Sequence, residues 1–549
     1  MDYKKVTMVY FRINIREEWF RMDIQTVKKI ETKAVKSSQS DFFRIGVALF
    51  FMAAVLWYSF ALYGHIPNNA FLAIGALFGA YMALNIGAND VANNVGPAVG
   101  SKALTLGGAI LIAAIFEASG ALIAGGDVVS TIKKGIIDPA MFVDTEQFVW
   151  AMTAALLAGG LWLNLATAIG APVSTTHSIV GGVMGAGIAA AGFSIVKWAS
   201  MGQIAASWVI SPLFGGIIAA AFLFSIKKSI IYKEERLAAA QKMVPLYVAL
   251  MSWAFTTYLI LKGVKHLVKI DFLNALAIGF GVGLLVYFIV KPFIAKASRK
   301  LSNMRSDVNT LFTIPLIFAA ALLSFAHGAN DVANAIGPLA AIADAIQTNA
   351  IAAKAPIPLW VMLVGAIGIS LGLALYGPKL IKTVGSEITE LDQIRAFSIA
   401  MAAAITVIIA SQLGLPVSST HIAVGGVFGV GFLREYLATT KEEELIRKER
   451  EMLAEDKKAL KALTAERDDL LAMETKSKED YQRIAELYAL IDAEEERIKL
   501  EKKLLKRAEK IKYVKRNAVN KIIAAWLITV PAAAALAASI FYMIKGFML

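Results

Sequence analysis

Two stretches of this chain occur twice, and each carries polar side chains able to hold ions. Gly87–Pro97 reads GANDVANNVGP and Gly328–Pro338 reads GANDVANAIGP, identical at nine of eleven positions. Each copy sets an aspartate, Asp90 or Asp331, among asparagines (Asn89 and Asn93; Asn330 and Asn334) at the end of an apolar run. A carboxylate at membrane depth is costly and is kept where a cation or proton neutralises it. Carboxylate, asparagine carbonyl and freed backbone carbonyl make an all-oxygen set, which suits a hard monovalent cation better than a soft metal. The nearby Gly87, Gly96, Gly328 and Gly337, with Pro97 and Pro338, are expected to supply the backbone irregularity that frees those carbonyls. The plainer alternative is an aspartate capping a helix at the membrane surface. Capping does not call for asparagine twice at the same spacing.

The second repeated block is Gly170–Gly187, returning at Gly414–Gly431 with twelve of eighteen positions identical. Within it, Pro172-Val-Ser174-Thr175-Thr176-His177 and Pro416-Val-Ser418-Ser419-Thr420-His421 each follow a glycine closely. Proline is favoured at the first helical position. Each motif therefore predicts a helix that stops at the glycine and restarts at the proline inside the bilayer. A restarting N-terminus offers unpaired N–H groups and about half a positive charge, a ready anion site. Ser174, Thr175, Thr176, Ser418, Ser419 and Thr420 add hydroxyl donors suited to oxyanion oxygens. Neither block contains Arg or Lys, so such binding rests on neutral donors and permits release. The alternative is a kinked structural helix whose hydroxyls bond back to its own carbonyls. His177 and His421 fit equally a packing role and a ligand role.

Glu117 lies mid-span in AAIFEASGALIA, and an acid inside the membrane is a functional candidate by default. Its expected counterpart, in VGAIGISLGLAL, is Ser370. Gln203 and Asn164 are further polar candidates near the same depth. Trp208 with Pro212 and Trp526 with Pro531 form a third, looser repeated pair assigned to packing.

The elements that must position these residues are membrane helices. The chain has 549 residues, 57% of them hydrophobic, and its many apolar stretches run near 20 residues. About 20 residues are what a helix needs to cross roughly 30 Å of hydrocarbon. Segments such as Ile217–Phe224 and Phe272–Val290 have no polar face, which excludes a soluble helical protein. The formal charge of +13 falls mostly between spans, where it orients helices; no nucleic-acid partner is expected. The absence of cysteine excludes disulfides, thiolate metal sites and cysteine nucleophiles. Five histidines without a dense cluster argue against a zinc centre.

Residues 1–42 form a basic leader in which Met8 and Met22 are candidate alternative starts, and 43–63 is an extra helix retained in the chain. Further spans are expected near 70–88, 106–126, 148–167, 173–190, 203–226, 244–262, 272–291, 311–328, 358–376, 397–413, 417–432 and 521–543, about thirteen crossings in all. The leader and the basic loop Lys291–Arg305 both fall on the cytoplasmic side; Lys262–Lys269 disagrees, landing outside. Seven crossings separate the start of repeat 1 (70–226) from the start of repeat 2 (311–432, completed by 521–549), with connecting helices over 227–310. An odd number turns the copies opposite ways, the inverted arrangement that supports alternating access. Within repeat 2, between its parts at 311–432 and 521–549, residues 433–520 turn rich in Glu, Lys, Leu and Ala. Ile446–Leu453–Leu460, Leu463–Leu470 and Ile484–Ile491–Ile498–Leu505 keep the heptad spacing of a coiled coil, interrupted at 475–480. Both ends join membrane helices on one face, so a cytoplasmic antiparallel hairpin is expected, which could also pair with another subunit's hairpin.

Together GANDVANNVGPAVGSKALTL, IFEASGALIAGG, TIKKGII, GAPVSTTHSIVGG and GLPVSSTHIAVGG resemble the inorganic phosphate transporter (PiT) family over about residues 70–226, 311–432 and 521–543. The resemblance implies import of phosphate driven by a cation gradient. Asp90, Asn89, Asn93, Asp331, Asn330 and Asn334 then take the cation, and Ser174, Thr175, Thr176, Ser418, Ser419 and Thr420 the phosphate, with Glu117, Gln203, His177 and His421 as additional candidates. The GAND form is similar to the sodium-coupled branch, making sodium the only metal expected. Coupling to protons, carriage of a metal–phosphate complex, and another oxyanion such as sulfate remain rivals, as does a signalling or scaffold membrane protein whose coiled coil is its output. The helix at 43–63 and the insert at 435–520 depart from the family core. The expectation is an all-α polytopic protein of the cell membrane, without cofactor or enzymatic activity, with half helices at the midplane. Its N-terminus and hairpin face the cytoplasm, its C-terminus lies outside, and the assembly is a homodimer in the lipid bilayer.

Overall fold

The computed structural model describes residues 41–67, 69–171, 173–263, 268, 270–350, 357–387, 391–473, 477–508 and 516–548. Nearly all of the basic segment at 1–42, Pro172, and part of the polar run at 475–480 lie outside the described residues.

The described chain is helical, with one isolated bridge between Ile137 and Val196. That is the expected solution in lipid, where backbone groups have no water to bond and must satisfy one another. The helices are α1 (Asp41–Leu62), α2 (Asn69–Gly100), α3 (Leu106–Ala124), α4 (Gly126–Lys134), α5 (Thr145–Ile169), α6 (Thr175–Ala191), α7 (Trp198–Ile226), α8 (Arg236–Lys262) and α9 (Phe272–Ser298). They continue as α10 (Arg305–Thr310), α11 (Thr313–Asp331), α12 (Ala333–Thr348), α13 (Leu359–Glu387), α14 (Gln393–Gln412), α15 (Ser419–Ala472), α16 (Lys478–Ala508) and α17 (Arg516–Met548).

Among the described residues, eleven helices are long and apolar enough to cross a membrane, against about thirteen expected. The difference lies in the spans expected at 173–190 and 417–432. The first is α6, only 17 residues long, and the second is the opening of the much longer α15. Both begin at buried serines in the interior.

Packing exchanges the two halves of the chain. The first aspartate helix, α2, lies along α13, while the second, α11, lies along α3; α6 packs on α17 and α15 on α7. At Gly87 and Gly328 these contacts are backbone to backbone: a Cβ at Gly87 would run into the Ile369 carbonyl, and one at Gly328 into the Glu117 carbonyl. The expected backbone irregularity is absent from the first copy, where α2 runs unbroken through Gly87, Asp90 and Pro97. In the second copy the helix yields only at Val332, between α11 and α12. The two glycines are there for close approach of helices.

The breaks expected in the other block do occur. α5 ends at Gly170 with φ of 76°, and α14 gives way to Gly414 with φ of 68°, a left-handed conformation natural to glycine. Ala171 N–H and Leu415 N–H close the ends by reaching back to the Ala166 and Ala410 carbonyls. The restart is later than expected: Ser174 and Ser418 are the N-caps, so Pro416 precedes its helix's N-cap by two residues.

Beyond the membrane helices, α15 and α16 pack as an antiparallel pair. Leu453, Ile484, Leu487, Ile491 and Ile498 are buried, and Arg483 meets Glu466 at 2.9 Å while Arg497 pairs with Asp456. The first member of the lysine group expected to disagree with the charge rule has a local role. Lys262 is buried, and its ammonium donates to the Ser411 carbonyl at 3.3 Å.

Candidate functional site

Asp90, in α2, and Asp331, at the end of α11, are both fully buried. Asp90 Oδ2 accepts from the Thr175 hydroxyl and Oδ1 from the Thr420 hydroxyl, each at 2.9 Å. Asp331 Oδ2 accepts from Ser419 at 2.7 Å and Oδ1 from Thr176 at 3.3 Å. Each aspartate is thus held by one hydroxyl from its own half and one from the other. The residues read from sequence as separate cation and anion sets form a single cluster, because the N-termini of α6 and α15 point their first turns at the two aspartate helices. Thr176 also lies 2.9 Å from the Val417 carbonyl, and Thr420 lies 3.4 Å from that of Val173. A hydroxyl has one hydrogen, so each threonine chooses between a carboxylate and the break opposite.

The asparagines divide into two roles. Asn93 donates to Thr420 Oγ1 at 2.9 Å, and Asn334 donates to Thr176 Oγ1 at 3.1 Å. The Oδ1 atoms of both are buried without a hydrogen-bond partner among the described residues. Asn89 and Asn330, also expected as cation ligands, brace the broken helices through their amides. Asn89 donates to Thr167 Oγ1 and the Ala171 carbonyl and accepts from Val173 N–H. Asn330 repeats the two donated bonds, to Ser411 Oγ and the Leu415 carbonyl, while its Oδ1, like those of Asn93 and Asn334, is buried without a hydrogen-bond partner among the described residues. An exposed backbone break inside a membrane protein leaves unpaired polar groups, and these amides satisfy some of them.

Ser174 and Ser418 accept from the N–H groups of His177 and His421 as N-caps, at 3.0 and 3.3 Å. His177 and His421 meet edge to face at 4.5 Å between ring centres, each stacked on a tryptophan, Trp208 at 3.8 Å and Trp526 at 3.7 Å. The loosely repeated tryptophans are therefore the outer rings of a four-ring stack. Gln203 is exposed on α7 and is not part of the cluster. Asn164 bonds Asn85 between α5 and α2.

Sequence reading missed His327, which is fully buried at the centre. Its Nε2 lies 2.8 Å from Asp331 Oδ2 and 3.4 Å from Asp90 Oδ2, and its Nδ1 lies 3.3 Å from Glu117 Oε1. Ionised carboxylates only accept, so with both aspartates ionised Nε2 is the nitrogen placed to donate to either of them. Glu117, buried on α3, also accepts from Asn94 at 2.7 Å. Asp90, His327 and Asp331 can each direct one ligand atom into a space less than 4.8 Å across.

This string of Asn94, Glu117 and His327 has no polar twin. Offsetting by the repeat places Ala335 opposite Asn94 and Ile86 opposite His327. Gly328 lies over Glu117 as Gly87 lies over Ile369. The counterpart of Glu117 is therefore Ile369 and not Ser370, whose hydroxyl donates to the Ala114 carbonyl at 2.9 Å. A core built from two duplicated segments thus carries a one-sided polar extension.

Chemically, acceptor oxygens converge where Asp90, Asp331, Asn93 and Asn334 meet, and hydroxyl donors ring them. That is an environment for a cation beside an oxyanion. Residues 86–537 match the model of the phosphate transporter family. A protein of Helicobacter pylori (strain J99) named "Putative phosphate permease" is 51% identical over 534 residues, covering 95% of this chain and 98% of its own length. One of Haemophilus influenzae with the same name is 40% identical over 370 residues, covering 66% of this chain and 87% of its own. A solved structure described as the sodium-dependent phosphate transporter matches with a TM-score of 0.69 at 31% identity, over 86% of this chain and 99% of that one. On a family match running from Ile86 to Ala537 and relatives of this identity and coverage, the chain belongs to the phosphate transporter family.

Proposed function

We propose that the chain imports inorganic phosphate by symport with sodium, using two inverted repeats that open the shared site alternately to either side. The observation that carries this reading is the pairing of orphaned acceptors with engaged donors. Asn93 Oδ1 and Asn334 Oδ1 lack partners beside Asp90 and Asp331, while the Thr175 and Ser419 hydroxyls donate to the carboxylates and Thr420 lies within reach of Asp90. Sodium entering among those oxygens takes over the carboxylates. The hydroxyl hydrogens are then released to phosphate, and the hydroxyl oxygens can turn lone pairs to the ion.

The charges enforce the coupling. Phosphate beside two bare carboxylates is strongly repelled in a site of low dielectric. Sodium relieves that repulsion, so each ligand raises the affinity for the other, the reciprocity that symport needs. The resemblance to a protein described as a sodium-dependent phosphate transporter favours sodium as the driving ion. In proteoliposomes, radiolabelled phosphate uptake should follow an imposed sodium gradient and not a potassium or pH gradient. Asp90→Asn and Asp331→Asn should abolish it; sodium-driven uptake at the intact rate in either variant removes the aspartates from the mechanism.

One observation favours a second reading. His327, joined to both aspartates and to Glu117, supplies a buried proton carrier, as proton-coupled import would need. Uptake that follows a pH gradient without sodium selects that reading.

A further inference from the structure

The α8–α9 pair stands at the edge of the bundle: α8 packs along α9 and touches the core elements only lightly. Between them runs an apolar cavity of about 540 Å³, lined by Met243, Leu246, Trp253, Phe280 and Leu284 and bounded at one end by Lys242 and Tyr287. Lys291 lies over the Tyr287 ring, 5.7 Å from its centre. Two ammonium groups from neighbouring helices therefore border the same mouth. Both lysines are exposed, and neither pairs with a carboxylate among the described residues. A second cavity of about 410 Å³ shares Leu250 and Trp253 with the first and extends it past Tyr258 to Leu413.

We infer that this groove binds an anionic phospholipid, its phosphate between Lys242 and Lys291 and one acyl chain laid along α8. The dimensions fit a lipid. From Lys242 to Trp253 the helix rises about 16 Å at 1.5 Å per residue, close to half of the roughly 30 Å hydrocarbon thickness. The lysines stand where a headgroup lies, Trp253 stands near the depth where a leaflet ends, and the second cavity gives room for the chain's tip. Charge complementarity selects an anionic headgroup, because juxtamembrane lysines are attracted to anionic lipid and not to a zwitterionic surface. A second copy of the chain fits poorly: a twofold contact here would bring Lys242 and Lys291 toward the same lysines of the other copy.

The test is native mass spectrometry of the full chain after titration with phosphatidylglycerol or phosphatidylcholine. The intact protein should retain phosphatidylglycerol several-fold better. K242Q/K291Q, which alters two exposed side chains, should bring the two lipids to parity with its melting temperature unchanged. Leu250→Trp, which fills the join of the two cavities, should lower retention of phosphatidylglycerol while both lysines remain. Equal retention of both lipids by the intact chain overturns the proposal, as does a preference that survives K242Q/K291Q. Retention unaffected by Leu250→Trp, or a dimer that covers Leu284, places the lipid elsewhere and also overturns it. None of these readouts involves phosphate transport, so their failure leaves the transport reading untouched.

Discussion

The Thr420 hydroxyl lies 2.9 Å from Asp90 Oδ1, although 330 residues of chain separate them. The opposite exchange sets Thr176 3.3 Å from Asp331. Each half of the molecule thus supplies the acid of one subsite and a hydroxyl of the other, so neither half can move alone without disturbing both. In the proposed transport cycle, opening the site to either side would require these crossed contacts to part, and sodium on the carboxylates would weaken them by competing for the same oxygens.

Thr420→Val keeps the shape of the side chain and removes its donor. Asp90 then loses a buried hydrogen bond, which costs about 1–3 kcal/mol for a buried group left without its partner. Sodium and phosphate should both bind more weakly, read as raised half-saturation values for each in uptake assays, while Thr420→Ser stays near the intact protein. Combined with Asp90→Asn and scored by thermal melting, the two changes should be non-additive by about 0.5–3 kcal/mol, as expected for residues in contact. Additive effects would mean that the bond contributes nothing.

His327→Ile copies the residue that the other repeat holds at Ile86. The change deprives Asp90, Asp331 and Glu117 of the nitrogen contacts they share. The initial uptake rate should fall about 5–150-fold, the range that 1–3 kcal/mol represents. His327→Gln retains an N–H donor of similar reach and should recover part of that loss. Equal rates in the intact protein and His327→Ile would make the one-sided extension dispensable.

What was legible in the sequence follows from this symmetry. Asp90, Asp331 and the six Ser/Thr positions announce themselves because both copies keep them, and left-handed glycines at Gly170 and Gly414 mark the breaks. His327 stands one residue before the second block, opposite an isoleucine, and Asn94 falls on a mismatch within the first. Their importance arises only when α3 packs on α11 and brings Glu117 to them. The same packing explains why Gly87 and Gly328 were misread: a glycine in an apolar run looks alike whether it loosens a helix or lets another lie against it. Asn89 differs from Asn93 only in facing the break, a matter of helix rotation that the motif does not encode.

Removing residues 436–518 and closing the gap with a short flexible linker tests the hairpin. Its buried seam of Leu453, Ile484, Leu487, Ile491 and Ile498 belongs to the two arms, and the principal neighbour of α16 is α15. The aspartate cluster lies at the other end of α15, next to Ser418. Sodium-driven uptake should stay within about twofold, the rate equivalent of the ~0.5 kcal/mol typical of changes remote from packed features. A large loss would make the hairpin part of the transport cycle.

Two glycine-to-alanine changes separate close packing from backbone conformation. At Gly328 an added Cβ meets the Glu117 carbonyl, part of a backbone that cannot turn aside. Overpacking of this kind costs about 1–3 kcal/mol or more, and it pushes α11 from α3 where His327 meets Glu117. Gly328→Ala should therefore lower both the melting temperature in detergent and the uptake rate. At Gly170 the added Cβ meets nothing within 4 Å, but φ is 76°. The cost there is about 1–2 kcal/mol of left-handed strain, with no displaced neighbour, so Gly170→Ala should lose stability while phosphate affinity stays close to intact. If Gly328→Ala melts and transports like the intact protein, α11 and α3 do not approach as closely as the site requires.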